Sequence, residues 1–276
     1  MIHLCSDQIT VFQSIIQQTN SAVVVSAGSV LISDPAWLPG EIAEIAAYAK
    51  QPVGRIPPRL LFTHSDFDHI LGYGAFPGSN VIASKGLKQH PNKKAVIQEI
   101  REWDNNNYFS RNYPMEFPQV DMPIPADGAE FPFGKTRLRF FLSPGHNMDG
   151  IFTLVEEPGI LLAGDYLSDF ELPIIHYSYQ DYVDTLRKAE KLIIGGQVRL
   201  LVPGHGKVTQ DPMEMKRRLK VAFDYLKQLE DALSRKDETL IQCLSEQFAF
   251  PSAFTKVCHE TNVKIVRQAL FGRKRG

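Results

Sequence analysis

From His64 to His69 the chain reads His64-Ser65-Asp66-Phe67-Asp68-His69, crowding two imidazoles and two carboxylates into six residues. Carboxylates this close repel one another unless a cation lies between them, and imidazole and carboxylate are donors that zinc, iron and manganese accept. Three later motifs each add one donor beside a turn: Pro144-Gly145-His146, Gly164-Asp165 and Pro203-Gly204-His205-Gly206. Taken singly, each has a plain structural explanation, since a His after Pro-Gly is an ordinary turn residue and Gly-Asp an ordinary cap or turn. Taken together and in this order they describe a metal centre, with each later donor at the end of a predicted strand, where loops build sites.

This arrangement resembles the metallo-β-lactamase fold superfamily, whose pattern is H-x-H-x-D-H followed by a distant His, an Asp and a final His. The likeness runs from about Ile9 to Gly206. It implies an α/β fold, a four-layer αβ/βα sandwich, and a set of roles. His64, Asp66 and His146 would hold a first metal, Asp68, His69 and His205 a second, and Asp165 would bridge them. Asp34, in Ser33-Asp34-Pro35, looks like the family's aspartate at a strand end behind the ligands. The cofactors implied are two divalent metal ions, with zinc the first expectation. One position departs from the pattern: Asp66 stands where the family commonly has its second His. A carboxylate is a harder, anionic ligand, so iron or manganese becomes more favourable at the first site. A Glu at that position occurs in the flavodiiron branch, and the separation of Asp165 from His146 resembles that branch too, but no flavodoxin-like domain follows.

The chemistry that the resemblance implies is hydrolysis. Two cations lower the pKa of a bridging water toward neutrality, so hydroxide is available without a strong side-chain base. Asp68 would then be catalytic as well as a ligand, orienting that hydroxide and taking up its proton. The superfamily cleaves thioesters, lactones, lactams, phosphodiesters and RNA with the same cage, so the fold alone does not choose among them. Composition narrows the choice. With 30 Lys+Arg against 31 Asp+Glu and a net charge of -1, the chain has no obvious track for a polyanion. A small-molecule ester, thioester or lactone is therefore the expected substrate. An RNA or phosphodiester nuclease, and a non-hydrolytic iron-binding redox or sensor protein, are the alternatives.

Several residues are weaker candidates. Tyr166, His176 and Tyr179 follow Asp165 in a stretch resembling the family's loop beside the substrate, although a merely hydrogen-bonded loop histidine also accounts for His176. The loop from Trp103 to Phe117, rich in aromatic residues and including Tyr108, reads as a lid touching substrate, as a surface loop, or as the contact of a homodimer. His3, His90 and His259 lack ligand-spaced neighbours and are expected at the surface.

Strands that could carry these motifs are predicted at Ile9 to Phe12, Ala22 to Ala27, Val30 to Ile32, Leu60 to Phe62, Arg137 to Leu142, Ile151 to Val155, Ile160 to Ala163 and Val198 to Val202. Helices are predicted at Gly40 to Lys50, Lys85 to Trp103 and Tyr179 to Leu192. Helical spacing then dominates from Met213 onward. This divides the chain into residues 1–210, a metallo-β-lactamase-like domain, and 211–276, a helical extension packed on it. Cys5, Cys243 and Cys258 form no CxxC pair, which points to a reducing compartment. No export signal or apolar run of roughly 20 residues is visible, so a cytoplasmic protein without membrane contact is expected. The basic tail Arg273-Lys274-Arg275 reads as a solvated terminus.

Overall fold

In the computed structural model, residues 1–50 and 57–272 are described; the tail Arg273-Lys274-Arg275 lies outside them. The first half contains β1 (Ile2–Cys5), β2 (Ile9–Gln13), β3 (Asn20–Ser26), β4 (Ser29–Ser33), α1 (Pro39–Ala49), β5 (Arg59–Leu61), α2 (Phe67–Ile70), β6 (Val81–Ser84), α3 (Lys85–Lys88), α4 (Lys93–Asn106) and β7 (Met122–Ile124). Its strands lie side by side in chain order as one seven-stranded sheet. The second half contains β8 (Ala129–Phe133), β9 (Thr136–Leu142), β10 (Ile151–Val155), β11 (Ile160–Leu162), α5 (Tyr179–Ile194) and β12 (Leu200–Val202), with strand order β12-β11-β10-β9-β8. Three helices follow: α6 (Pro212–Arg235), α7 (Glu238–Leu244) and α8 (Ala253–Phe271).

Period-two alternation along the strands builds the layers. Val23, Ile32, Leu60 and Val81 point outward to meet Ile42 and Ile45 of α1 and Ile97 and Ile100 of α4. Their neighbours Val24, Leu31, Leu61 and Ile82 point inward, against Leu138, Phe140, Ile160 and Leu162 of the second sheet. On that sheet's far side Phe152, Leu154 and Leu161 pack under Leu186 of α5 and under Leu219, Leu226 and Leu229 of α6. The result is the expected αβ/βα sandwich, with α6, α7 and α8 sharing one core with α5 and the second sheet.

Four strands escaped the sequence reading, and the reasons are local. Pro123 interrupts β7 and Pro132 lies in β8, and a proline argues against a central strand. Both strands sit at sheet edges, where a missing N–H donor costs no pairing. β1 is likewise an edge strand, and β6 is only four residues long. The helix expected over Lys85 to Trp103 is two helices, because Pro91 cannot continue the first. His259, expected at the surface, is buried: its Nδ1 lies 2.9 Å from the Tyr225 hydroxyl and its Nε2 lies 2.7 Å from the Ile241 carbonyl.

Arg218 of α6 is only 3% exposed. Its Nη1 donates to the carbonyls of Leu167 (3.1 Å) and Lys207 (2.8 Å), and its Nε donates to Glu214 Oε1 at 2.9 Å. One guanidinium thus ties the loop after β11 to the loop after β12. Arg218→Ala leaves those carbonyls without their donor and should destabilise the fold by about 2–4 kcal/mol. Urea unfolding measures this, and a loss below about 1 kcal/mol would show that the clamp carries little of the stability.

Candidate metal centre

Every candidate donor lies just past a strand, at one edge of the sandwich. The loop after β5 enters α2 with Asp66 at its N-cap and Asp68 and His69 in its only turn. His146 follows β9, Asp165 follows β11, His205 follows β12, and Asp34 follows β4. Parallel pairing of β4 with β5 and of β11 with β12 aligns these ends, and a hydrogen bond from Ile151 N to the Thr63 carbonyl (2.7 Å) joins the two sheets there. Gly204 is required by closeness, since a Cβ on it would fall 2.2 Å from Asp165 Oδ1. Gly145 has φ +125° and lies so near the backbone of Tyr182 that a Cβ would approach to 2.3 Å.

The donors form two groups joined by one carboxylate. Asp165 Oδ2 lies 3.5 Å from His64 Nε2 and 3.3 Å from His146 Nε2, while Asp66 Oδ2 lies 2.9 Å from His146 Nε2 and 3.5 Å from His64 Nε2. Asp165 Oδ1 faces the other way, 3.0 Å from His69 Nε2 and 3.4 Å from His205 Nε2; Asp68 Oδ2 is 3.4 Å from each of those nitrogens. Bonds of 2.0–2.2 Å around a tetrahedral cation give donor–donor edges of roughly 3.3–3.6 Å, close to most of these separations. His64 Nε2, Asp68 Oδ2 and Asp165 Oδ1 are buried without a hydrogen-bond partner. Leaving such atoms unpaired is expensive, and a cation in each group would satisfy them. The residues present therefore fit two metal ions.

Contacts behind the ligands aim each Nε2 inward by engaging or approaching the Nδ1. His146 Nδ1 meets the Ile174 carbonyl at 2.8 Å, and His205 Nδ1 meets the Gln17 carbonyl at 3.0 Å. His64 Nδ1 lies 3.1 Å from Thr63 Oγ1, which itself donates to Asp34 Oδ2 at 2.6 Å. The same Asp34 oxygen is 3.3 Å from His69 Nδ1, so one carboxylate serves two ligands. Asp34 holds this position with φ +44°.

The weaker candidates divide. The His176 ring lies 5.1 Å from that of His146 and shares an opening with Asp66, Asn147 and Tyr177. Tyr166 is not placed to touch substrate, because it is 3% exposed and its hydroxyl donates to the Pro144 carbonyl (2.9 Å) while accepting from His146 N (3.0 Å). Tyr179 is directed away, donating to Glu230 of α6 at 2.9 Å. Tyr108 is almost fully exposed, and the rest of its loop is packed down: Trp103 lies 4.4 Å from Trp37, and Arg111 pairs with Asp104 at 2.8 Å.

Four contributors were missed by sequence reasoning. Asn147 donates to Asp66 Oδ1 at 2.6 Å, and the buried Asp149 accepts from Ser65 N at 3.3 Å. Asn147 follows His146 directly and Asp149 lies three positions on, which was the available signal. Asn262 of α8 accepts from Ile175 N (2.8 Å) and donates to the Pro173 carbonyl (2.6 Å), so it brackets the Ile174 carbonyl that holds His146. Burial pushes the Glu171 carboxyl up to about 7, against the opposing charge of His205. Nothing near Asn262 or Glu171 in the sequence marks either residue.

Burial is the largest single influence on each ligand and opposes its charge, yet the mutual pairing outweighs it. His64 is raised, and His69, His146 and His205 are raised well above the ordinary value, by the surrounding carboxylates. Asp66 and Asp165 are held well below the usual carboxylate range by the imidazoles. In protein stripped of metal, the imidazole contribution to stability is full below about pH 6.5 and is lost as pH rises through the raised values. The carboxylate contribution is full above about pH 3.8 and is lost as pH falls through the lowered values. Stripped protein should therefore melt highest between these limits and lose stability on the alkaline side. Loaded protein, whose ligands are already deprotonated, should not show that alkaline loss. Melting scans with and without chelator check this; a stripped protein as stable at about pH 9 as at about pH 6 would refute it.

Residues 15–205 match the family model described as the metallo-beta-lactamase superfamily. No curated protein matches the chain. Among solved structures, a metallo-beta-lactamase family protein from Thermus thermophilus is 20% identical, covers 96% of this chain and 94% of its own, and superposes with a TM-score of 0.66. An archaeal metallo-beta-lactamase superfamily protein from Sulfolobus tokodaii is 16% identical over 96% of this chain and 99% of its own, with a TM-score of 0.57. A stereoselective inverting sec-alkylsulfatase from Pseudomonas sp. is 13% identical, covering 99% of this chain but 50% of its own, with a TM-score of 0.66. At these identities the likenesses speak for the fold. With the family model covering more than half the chain and the donor motifs gathered at one edge of the sandwich, the protein belongs to the metallo-beta-lactamase superfamily.

Proposed function

We propose that the protein is a dinuclear metal-dependent hydrolase of a small ester, thioester or lactone. The observation that carries this is the division of Asp165, one oxygen facing His64 and His146 and the other facing His69 and His205. His64, Asp66 and His146 would hold one ion, Asp68, His69 and His205 the other, and Asp165 both. Imidazole-rich ligation favours zinc, while Asp66 makes iron or manganese more acceptable at the first position. Once bound, the pair would lower the pKa of water enough to supply hydroxide near neutral pH.

The remaining work falls to side chains of this protein. Asp68 would orient the attacking water and accept its proton, which is general-base work. Asp66 is the most open donor, its side chain 32% exposed, and it marks the side from which substrate can approach. His176 and Asn147 border that opening and can hydrogen-bond a substrate oxygen. Among the described residues, neither this opening nor the cavity lined by Ile15, Phe170 and Phe254 includes a Lys or Arg, and Arg218, which borders a small cleft with Asp165 and Glu171, is engaged with Glu214 and two backbone carbonyls. That absence supports an uncharged small molecule over RNA, which binds through phosphate contacts. No described helix is long and apolar enough to cross a membrane.

Elemental analysis of protein purified without added metal should give about two ions per chain, with His64→Ala and Asp165→Ala losing metal and at least about a thousandfold in kcat/KM toward simple thioesters. Variants that keep both metal and activity would overturn the proposal. Asp66→His removes a negative charge from the first group and should move the acidic limb of the pH–rate profile to lower pH. An unchanged limb would show that Asp66 does not set the acidity of the nucleophile.

A further inference from the structure

A second opening lies beside the centre, on the His205 side. It is a cavity of about 630 Å³ between the β2–β3 loop, the loop after Asp165 and the segment entering α8. Its walls are mainly apolar, with Ile15, Phe170, Ile174, Phe248, Phe250 and Phe254 beside a few polar residues such as Gln17 and Thr255. Three of these, Ile15, Phe250 and Phe254, are 68%, 58% and 54% exposed, a concentration of exposed large apolar side chains that ordinary surfaces avoid. Phe170 and Phe250 pack edge to face at 5.3 Å, and the Ala249 N–H donates to the Phe170 carbonyl at 3.5 Å, so the wall is built and not a collapsed loop.

The cavity borders the centre, since three of its lining residues also support or face the donors. The Gln17 carbonyl holds His205, the Ile174 carbonyl holds His146, and Glu171 lies near enough to feel the charges of His205, Asp165 and Asp68. Among the described residues, Glu171 is the only ionisable side chain lining it. An aromatic slot that borders the proposed hydrolytic centre and carries no cation suits the hydrocarbon part of a substrate whose polar, cleavable bond reaches the ligands.

We infer that this cavity is the acyl-chain subsite, and that the substrate class is a medium- or long-chain acyl ester or thioester. This rests on the hydrolase reading above and narrows it. Each methylene taken from water into such a slot strengthens binding by up to about fourfold, so chain length is the variable to test.

Thioethers of N-acetylcysteamine bearing butyl or octyl chains resemble thioester substrates but cannot be cleaved, so calorimetry reads their binding whether or not the protein hydrolyses anything. The octyl compound should bind at least about tenfold more tightly than the butyl compound, in parent protein and in His64→Ala alike. Phe250→Ser and Phe254→Ser combined should erase most of that difference while leaving the melting temperature unchanged, because both side chains are more than half exposed. In hydrolysis, kcat/KM should rise from butanoyl to octanoyl thioester in the parent and stay flat in the double variant.

Equal affinity for both chains, or a preference untouched by the two substitutions, overturns the subsite. A dimer in sedimentation that is lost in the double variant, without chain-length preference, would assign the face to a second copy of the chain and also overturn it. If octyl binding is Phe-dependent but no ester, thioester or lactone is hydrolysed, the subsite stands and the hydrolase reading fails.

Discussion

The carboxylate of Asp165 is the constraint around which the rest of this structure is arranged. Its two oxygens look in opposite directions, toward two pairs of imidazoles, and every approach is 3.0–3.5 Å. Such a group cannot be served from one segment of chain. The imidazoles come from the ends of β5, β9 and β12 and from α2, so both sheets must present those ends at one edge, in register to within a bond length. Gly204 gives up a side chain because any Cβ would strike that carboxylate. The layered core of Val, Ile, Leu and Phe supplies the rigidity; the carboxylate sets the geometry that the rigidity has to hold.

The supporting contacts extend the centre well beyond the donors. Each imidazole must present Nε2, and a partner at or near Nδ1 makes that so: Ile174, Gln17, Thr63 and Asp34. These partners sit on loops, which would wander unless held. Arg218 of α6 holds the loops after Asp165 and His205, and Asn262 of α8 holds the loop carrying Ile174. The C-terminal helices are therefore more than a cover on the second sheet. They reach the ligand loops through Arg218 and Asn262, two buried polar side chains of the kind that persists when it fixes a geometry.

The donors were legible in the sequence because four of them fall within six residues and the others sit beside Gly at strand ends, a pattern that local structure explains poorly. The sandwich was legible because strand alternation between inner and outer faces is itself a sequence property. What stayed hidden depends on tertiary placement. Glu171 and Asn262 are ordinary polar residues until folding sets one beside His205 and the other beneath the His146 loop. Edge strands β7 and β8 were masked by Pro123 and Pro132. Composition left the aromatic loop after Trp103 open between a lid, a surface loop and a dimer contact, and tertiary packing lays it down: Trp103, Tyr113 and Phe117 pack on the first sheet's outer core. The aromatic residues beside the centre come from around Phe170 and from Phe248 to Phe254, separated by nearly eighty positions.

Charge and apolarity at this edge point the same way. On the proposed dinuclear reading, Asp66, Asp68 and Asp165 set three negative charges against two divalent cations, whereas a centre with His at position 66 would set only two. Asp66 therefore lowers the net positive charge that an anionic substrate would seek. Glu171, whose carboxyl burial pushes up to about 7, lines the apolar cavity and would add further resistance to anions as pH rises. On that reading, and with the proposed subsite, a substrate would gain little from bearing phosphates or carboxylates and much from bearing hydrocarbon. A neutral carbonyl attached to an apolar chain asks the least of a centre with reduced positive charge and draws the most from its aromatic wall, so one substitution in the ligand set and the placement of four phenylalanines favour the same class of molecule.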